Sequence, residues 1–221
     1  MPKLCVALDL DLKEALSLTE ELSEYGLVFK IGPRLLLDGG SEVIRSIKEK
    51  GSEVFLDLKL HDIPNTVRLA VEKARELGIN YMTLHSLGGT EMMESAVDSS
   101  GELKLLGVTL LTSHGEDYLE YVKTSFGGVK EMTLYLAKRC KEVGLFGVVC
   151  SGWEVKDIKE STGLYTVVPG IRLSSSRDDQ HRVYTPRRAV EEGADMLVMG
   201  RDIYRSDNPR RVVEEVLEII S

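Results

Sequence analysis

Short apolar runs alternate with amphipathic stretches from one end of the chain to the other. The apolar runs predict strands at 3–9, 27–32, 52–59, 80–85, 104–112, 146–152, 165–171 and 195–201. Apolar residues spaced three or four positions apart predict helices after them, at 12–26, 39–51, 64–78, 89–98, 129–143, 153–161, 185–193 and 208–220. Strands that are apolar throughout are typical of a parallel sheet covered by helices.

The number of strand–helix units selects the fold. Eight units in 221 residues indicate an α/β fold, a single-domain (β/α)8 TIM barrel that spans residues 1–221. An open, doubly wound sheet is the alternative. No linker, low-complexity segment or change in composition indicates a second domain.

Two connections are longer than the usual few residues. Residues 113–128 follow the fifth strand, and we expect them to be partly helical. Residues 172–184 follow the seventh strand, and their polar, charged sequence predicts a lid. Both connections follow the carboxyl ends of strands, where barrel enzymes carry their active sites.

Composition and charge exclude several classes of function. The formal net charge is −8, whereas general binding to nucleic acid or to anionic membranes needs a basic surface. No stretch reaches the roughly 18 apolar residues of a membrane span, and the N-terminus lacks the pattern of a signal peptide. Cys5, Cys140 and Cys150 lack metal-ligand spacing, so we expect reduced thiols in a cytoplasmic protein.

Polar residues occur repeatedly at the carboxyl ends of the predicted strands. They are Asp9, Lys30, Asp57, Lys59, Thr112, Ser113, Arg172, Gly200 and Arg201. Any one of them is weak evidence for a site, since Asp9 could cap a helix and Lys30 could be solvated. In a barrel, however, all of them would meet at one rim.

The segment "FLDLKLHDIPNT", residues 55–66, places a lysine between two aspartates. Asp57 and Lys59 are two positions apart, so strand geometry directs both side chains into the barrel mouth, and Asp62 follows in the loop above. A structural ion pair is one interpretation. The functional one is a charged lysine that donates a proton, because neighbouring carboxylates disfavour the neutral amine that a Schiff base requires. Asp62 is also a possible N-cap of the third helix.

The last two strand ends predict a phosphate site. Gly200 and Arg201 close an apolar strand, where a backbone N–H and a guanidinium can hold a phosphate. Arg172 and Gln180 lie in the connection after the seventh strand, on the same arc of the rim. Barrels often bind phosphate after strands seven and eight.

Several motifs together are similar to those of the orotidine 5′-phosphate decarboxylase family. They are "ALD" at 7–9, "FKIG" at 29–32, "DLKLHDIPNT" at 57–66, "PGIR" at 169–172, "DDQHRVYTP" at 178–186 and "GR" at 200–201. They occur in the family's order and span most of the chain. The resemblance implies a (β/α)8 barrel that decarboxylates orotidine 5′-monophosphate to uridine 5′-monophosphate, without metal or organic cofactor.

The resemblance also implies a role for each matching residue. Lys59, Asp57, Asp62 and Lys30 would be the catalytic residues. The substrate-binding residues would be Asp9 and Lys30 at the ribose, Thr112 and Ser113 at the pyrimidine, and Gln180, Gly200, Arg201 and Arg172 at the phosphate, together with Pro169 and Thr66. The family's homodimer would place Asp62 and Thr66 in the partner subunit's site.

Two features need separate interpretation. Many family members have proline after "GR", whereas this chain has Asp202, which we expect to face solvent. His85, at the end of the fourth strand, is expected to be a hydrogen-bonded residue of the rim.

Two alternative functions are open. One is a Mg²⁺-dependent sugar-phosphate decarboxylase or hexulose-phosphate synthase, which resembles this family but has a glutamate metal ligand on the second strand, where this chain has Lys30. The other is a non-catalytic binder of nucleotide phosphates, which would not need Asp57, Lys59 and Asp62 together.

Overall fold

Eight parallel strands close into a barrel in the computed structural model, which describes residues 1–173 and 184–221. The strands are β1 (Lys3–Ala7), β2 (Val28–Ile31), β3 (Glu53–Leu60), β4 (Tyr81–His85), β5 (Lys104–Val108), β6 (Gly147–Val149), β7 (Tyr165–Val168) and β8 (Met196–Met199). Each strand pairs with the next along the chain, and β8 pairs with β1. The prediction of a single (β/α)8 barrel is confirmed.

Helices follow the strands and cover the outside of the barrel. They are α1 (Leu12–Glu21), α2 (Pro33–Glu49), α3 (Pro64–Glu76), α4 (Thr90–Ser100), α5 (Asp117–Tyr121), α6 (Val129–Val143), α7 (Val155–Thr162), α8 (Pro186–Glu191), α9 (Arg201–Tyr204) and α10 (Pro209–Ile220). Helix α5 lies in the connection that was expected to be partly helical. In the described residues, no helix has the length and apolar character needed to cross a membrane.

Alternation along each strand divides the apolar residues between two cores. On β3, Phe55 faces the barrel interior, where it packs in the cluster that contains Tyr81, while Leu56 packs in the outer layer between strands and helices. Because successive side chains of a strand point to opposite faces, both faces of this sheet are buried. This explains why the strands are apolar throughout.

Three details differ from the sequence prediction. Most strands end before the predicted boundary, because their last residues leave the hydrogen-bonded ladder to form the rim. Helix α2 begins at Pro33, six positions early, and the glycine pair inside it produces a kink, with Gly40 at φ 52°. The short helix α9 was not predicted.

The helix cap proposed for Asp62 is also wrong. Helix α3 begins at Pro64 after Ile63, which makes no side-chain capping bond. Instead, Asp62 Oδ1 accepts a hydrogen bond from the backbone N–H of Ile63 at 2.7 Å. Proline at the first helical position removes one of the N–H groups that a cap would satisfy.

Candidate active site

A cavity of about 310 Å³ opens at the carboxyl end of the barrel. Side chains from most of the strand ends line it, including Asp9, Lys30, Asp57 and Lys59 on one side. Pro169, Arg172, Gly200 and Arg201 line it on the side of β7 and β8, and Thr112 contributes from β5. The structure thus brings most of the predicted site residues to one cavity.

Four charged residues form a continuous network in this cavity. Lys30 Nζ lies 3.9 Å from Asp9 Oδ1 and 3.2 Å from Asp57 Oδ2, and Lys59 Nζ lies 2.8 Å from the same Asp57 oxygen. The Asp57 side chain is 11% exposed and that of Lys30 is 13% exposed, whereas Lys59 is 38% exposed. Asp57 is therefore the buried centre of the network, and the ammonium of Lys59 reaches the cavity.

Burial and neighbouring opposite charges act against each other, and their net effect lowers the pKa of Asp57 and raises the pKa of Lys30. Burial disfavours the charged form of Asp57, but Lys30 and Lys59 outweigh it and hold the pKa of this carboxyl below its ordinary value. Burial also disfavours charged Lys30, yet Asp57 and Asp9 raise its pKa above the ordinary value. Both residues are thus ionised near neutral pH, and the network has a fixed charge pattern.

Thr83 supports the charged network and was not among the residues predicted from the sequence. Its hydroxyl donates to Asp57 Oδ1 at 2.9 Å and accepts from the backbone N–H of Lys59 at 2.9 Å, and it is fully buried. This one side chain fixes both the carboxylate and the backbone of the lysine. The signal was present as a single polar residue inside the apolar strand "NYMTLH".

The backbone at Lys59 departs from regular strand geometry. Its φ is 49°, in the left-handed region that residues with a side chain rarely adopt, and the pairing of β3 with β4 shifts register between Leu56 and Leu60. Such conformations persist where the surrounding structure holds them, and they cluster at functional sites. Here the Thr83 hydrogen bond and the Asp57 contact supply that support.

The side of the cavity after β8 has little room for a side chain at position 200. Gly200 precedes helix α9, and a Cβ at this position would lie 3.3 Å from Tyr204 Cε1 and 3.4 Å from Ala7 Cβ. Arg201 is exposed at the rim beside it. Gln180, the remaining residue predicted to hold the phosphate, lies outside the described residues, as does most of the connection predicted to be a lid.

Asp202 does not face solvent as expected. Its Oδ1 accepts a hydrogen bond from Arg172 Nη1 at 2.9 Å, and its Oδ2 accepts one from the backbone N–H of Leu173 at 3.0 Å. Its side chain is 22% exposed. The expectation of a solvent-facing carboxylate is wrong, because the Arg172 guanidinium and the Leu173 backbone N–H both bind it.

Three predicted site residues lie away from this cavity in the single chain. Ser113 lines an adjacent cavity of about 340 Å³ together with Trp153. Asp62 and Thr66 are exposed on the loop and first turn of α3, and neither lines the cavity.

His85 also differs from its prediction. Its Nδ1 is buried and has no hydrogen-bond partner among the described residues. Its ring centroid is 5.6 Å from that of His61. Burial, with His61, Lys59 and His114 nearby, lowers the pKa of His85 below its ordinary value, although Asp57 acts in the opposite direction. The lowered pKa favours the neutral imidazole.

Within the part of the chain that the structure describes, no group of three or more His, Cys, Asp or Glu is arranged to hold a metal. The acidic residues that line the cavity are Asp9 and Asp57, and the Lys30 ammonium lies between them. A cation is thus already provided by the protein at this position.

The fold and the site together define a (β/α)8 barrel with a charged cavity at the carboxyl ends of its strands, the position of active sites in this fold. The chain belongs to the orotidine 5′-phosphate decarboxylase / HUMPS family, whose model matches residues 2–216. The resemblance seen in the motifs is thereby confirmed.

Individual relatives match over their whole length. The chain is 47% identical to an orotidine 5′-phosphate decarboxylase of Aquifex aeolicus, covering 100% of this chain and 99% of the relative. It is 44% identical to one of Legionella pneumophila, with 98% of each covered.

Solved structures agree with these matches. The orotidine 5′-phosphate decarboxylase of Lactobacillus acidophilus superimposes with a TM-score of 0.89 at 34% identity, covering 100% of both chains. The enzyme of Methanocaldococcus jannaschii, solved in complex with the inhibitor BMP, gives a TM-score of 0.81 at 25% identity, covering 100% of this chain and 99% of that one.

Proposed function

We propose that this chain removes carbon dioxide from orotidine 5′-monophosphate to give uridine 5′-monophosphate, the last step of uridylate synthesis. The proteins that match it over their whole length are named for this activity, and the chain is an enzyme of their class, the carboxy-lyases. The observation that carries the proposal is the Lys59 ammonium, held 2.8 Å from buried Asp57 beside the cavity.

The reaction needs a preorganised positive charge. The bond between C6 of the pyrimidine and the carboxylate carbon breaks, its electron pair stays on C6, and carbon dioxide leaves. The ring has no adjacent carbonyl that could accept this charge, so the barrier is high. An ammonium fixed near C6 stabilises the developing charge without having to reorganise, and such stabilisation is usually the largest single contribution to catalysis.

Lys59 then completes the reaction as a general acid. Its ammonium donates a proton to C6, which gives the product and leaves a neutral amine that solvent reprotonates. Two residues orient the lysine. Asp57 binds its ammonium, and the Thr83 hydroxyl accepts a hydrogen bond from its backbone N–H. Asp57 would also lie near the departing carboxylate, where its negative charge favours departure.

Groups remote from C6 supply binding energy. Arg201, Arg172 and the backbone at Gly200 would hold the 5′-phosphate, with Gln180 as a further ligand. Asp9 and Lys30 would hold the ribose hydroxyls, while Thr112 and Pro169 would border the pyrimidine. Ser113 would contribute from the adjacent cavity, which shares Thr112 and Pro169 with the first one. Binding energy from a non-reacting phosphate can be used to close and orient the site around the reacting carbon.

The charges of the network favour a reaction without metal or organic cofactor. Lys30 occupies the position on the second strand where Mg²⁺-dependent relatives carry an acidic ligand. Its ammonium, 3.2 Å from Asp57, already neutralises the carboxylate that a metal would need. Asp57 also serves two lysines at once, an arrangement suited to proton donation rather than to metal binding.

The site would be completed in a homodimer. Asp62 and Thr66 are exposed, and next to them Ile63 is 65% exposed and Leu69 is 51% exposed. Exposed apolar side chains beside residues predicted to act in a site fit a surface that a second copy of the chain covers. Asp62 and Thr66 would then reach the partner subunit's cavity.

The dimer can be tested by mixing two inactive variants, Lys59→Ala and Asp62→Ala. A hybrid dimer would contain one site that has both an intact Lys59 and the partner subunit's intact Asp62. After unfolding and refolding together in equal amounts, about a quarter of the wild-type activity is expected, because about half of the dimers are hybrids with one intact site each. Activity no higher than that of the separate variants would contradict the shared site.

A cytoplasmic location is part of the proposal. Cys5, Cys140 and Cys150 are buried free thiols, as expected for a protein in a reducing compartment.

The activity itself is tested by adding orotidine 5′-monophosphate to the purified protein and following the loss of pyrimidine absorbance, with and without a chelator. Rapid loss that the chelator does not change is the expected result. Loss abolished by the chelator would favour a Mg²⁺-dependent relative. A bound nucleotide without turnover would favour the non-catalytic binder.

A further inference from the structure

Asp202 connects two loops of the rim that carry the predicted phosphate ligands. It follows Gly200 and Arg201 directly, in helix α9 after β8. Its two carboxylate oxygens reach the loop after β7, one to the guanidinium of Arg172 and one to the backbone N–H of Leu173. The side chains of Arg172 and Asp202 are 23% and 22% exposed, so this contact is largely shielded from water.

The contact determines how Arg172 is presented to the cavity. A guanidinium is a rigid fork of N–H donors, so binding Nη1 to one acceptor fixes the direction of the donors that stay free. Arg172 and Arg201 both line the cavity, and two cations there repel each other in the absence of ligand. The carboxylate of Asp202 offsets that repulsion while leaving further donors of Arg172 for an incoming anion.

The backbone on the other side of Arg172 is fixed as well. Its N–H donates to the carbonyl of Tyr184 at 3.1 Å, and Ile171 forms a β-bridge with Tyr184. Together with the bond from Asp202 to Leu173, these contacts hold the residues on either side of Arg172. The side chain therefore projects from a backbone that is restrained at both ends.

We propose that Asp202 is a positioning residue for the phosphate group of the substrate, acting through Arg172. It holds the arginine in its binding orientation before the ligand arrives, so that the cost of ordering a long side chain is not incurred on binding. The proposal rests on the proposed function for the identity of the substrate. It concerns the binding of a phosphate monoester and not the chemistry at C6.

The test uses four variants: Asp202→Ala, Asp202→Asn, Arg172→Ala and the double variant that combines Asp202→Ala with Arg172→Ala. Asp157→Ala is the control. Asp157 also pairs with a cation, Lys130 at 2.7 Å, but on outer helices, which makes it the matched control. KM and kcat are measured with orotidine 5′-monophosphate. Binding of uridine 5′-monophosphate and of inorganic phosphate is measured by calorimetry.

Asp202→Ala is expected to raise KM and to weaken uridine 5′-monophosphate binding about tenfold, the size of a lost charge-assisted hydrogen bond. The value of kcat should change much less. Asp202→Asn can still accept from Leu173 but loses its charge, so it should fall between wild type and alanine. In the Arg172→Ala background, removal of Asp202 should have almost no further effect, because the two residues act as one unit. Asp157→Ala should match the wild type.

Three results would overturn the proposal. One is unchanged or tighter phosphate binding in Asp202→Ala, which would mean that the carboxylate only competes with the ligand. The second is an undiminished effect of Asp202→Ala in the Arg172→Ala background, which would indicate a purely structural role. The third is a wild-type protein that binds neither phosphate ligand. A protein that binds them but does not decarboxylate would refute the proposed function alone.

Discussion

Both ends of the barrel contain lysines, but the residues around these lysines differ between the two ends. At the amino end, Lys104 Nζ lies 5.0 Å from the ring centroid of Tyr81 and 5.4 Å from that of Phe146, and Lys3 pairs with Glu53. At the carboxyl end, Lys30 and Lys59 converge on Asp57 beside an open cavity. Aromatic rings close one end, and a charged network lines the other.

The surroundings of a lysine indicate whether it has a structural or a chemical role. At the amino end the cations lie against aromatic faces, and the rings of Tyr81, Phe146 and Tyr165 pack within 6.4 Å of one another, so no ligand is needed to complete the packing. At the carboxyl end the side chains of Asp57 and Lys30 are largely buried, whereas the Lys59 ammonium is exposed to the cavity. Buried charge next to empty space is the combination that indicates chemistry.

The largest effect is expected from breaking the charged network. Lys59→Ala removes both the stabilising charge and the proton donor, so kcat should fall by about 10⁴-fold or more. Lys104→Ala, which removes a lysine from the opposite end, should leave kcat within about twofold of the wild type, since this end does not touch the cavity. Steady-state kinetics measures both. Near-normal turnover in Lys59→Ala would refute its catalytic role.

The second effect concerns the aromatic end and should appear in stability alone. Tyr81 is 1% exposed and packs inside the barrel with Phe55, so Tyr81→Ala should lower the free energy of unfolding by about 3–5 kcal/mol. The value of kcat should be unchanged at temperatures where the variant remains folded.

Chemical denaturation followed by circular dichroism measures the stability of this variant. Phe146→Ala is the matched control, because Phe146 belongs to the same cluster but is 39% exposed and should cost less. A large loss of kcat in folded Tyr81→Ala would show that the two ends are not independent.

The sequence predicted the barrel well, since a strand buried on both faces and an amphipathic helix leave strong periodic signals. It also brought Asp57, Lys59, Arg172 and Arg201 to one rim, because parallel strands in a barrel end on the same side. These conclusions need only the order of elements along the chain.

The missed features depend on local geometry that periodicity does not encode. They are the positive φ of Lys59 (49°), the hydrogen bonds of Thr83 and the pairing of Asp202 with Arg172. Each depends on contacts between segments that are far apart in the sequence. The helix start at Pro33 was hidden by the glycine pair, which kinks α2 without ending it. The contribution of Asp62 and Thr66 stays a prediction, because it requires a second chain.

The smallest expected effect is a pH dependence of stability that comes from His85. His85, at the carboxyl end, faces His61, Lys59 and His114 as well as Asp57, and its pKa is lowered from the ordinary 6.5. Because the unfolded chain protonates this histidine more readily than the folded one, its contribution to stability is complete above pH 6.5. That contribution is lost as pH falls from 6.5 towards the lower folded pKa. The unfolding free energy of the wild type should decline over this interval.

His85→Gln should show a shallower decline over the same interval, whereas Tyr81→Ala, altered at the aromatic end, should keep the wild-type slope. Denaturant unfolding at pH 5, 6 and 7 measures the slopes, and an NMR titration of the His85 ring reads its pKa directly. A ring that titrates at or above 6.5 would contradict the argument. It would mean that the Asp57 carboxylate outweighs burial and the nearby cations, and that the rim gains stability when His85 is charged.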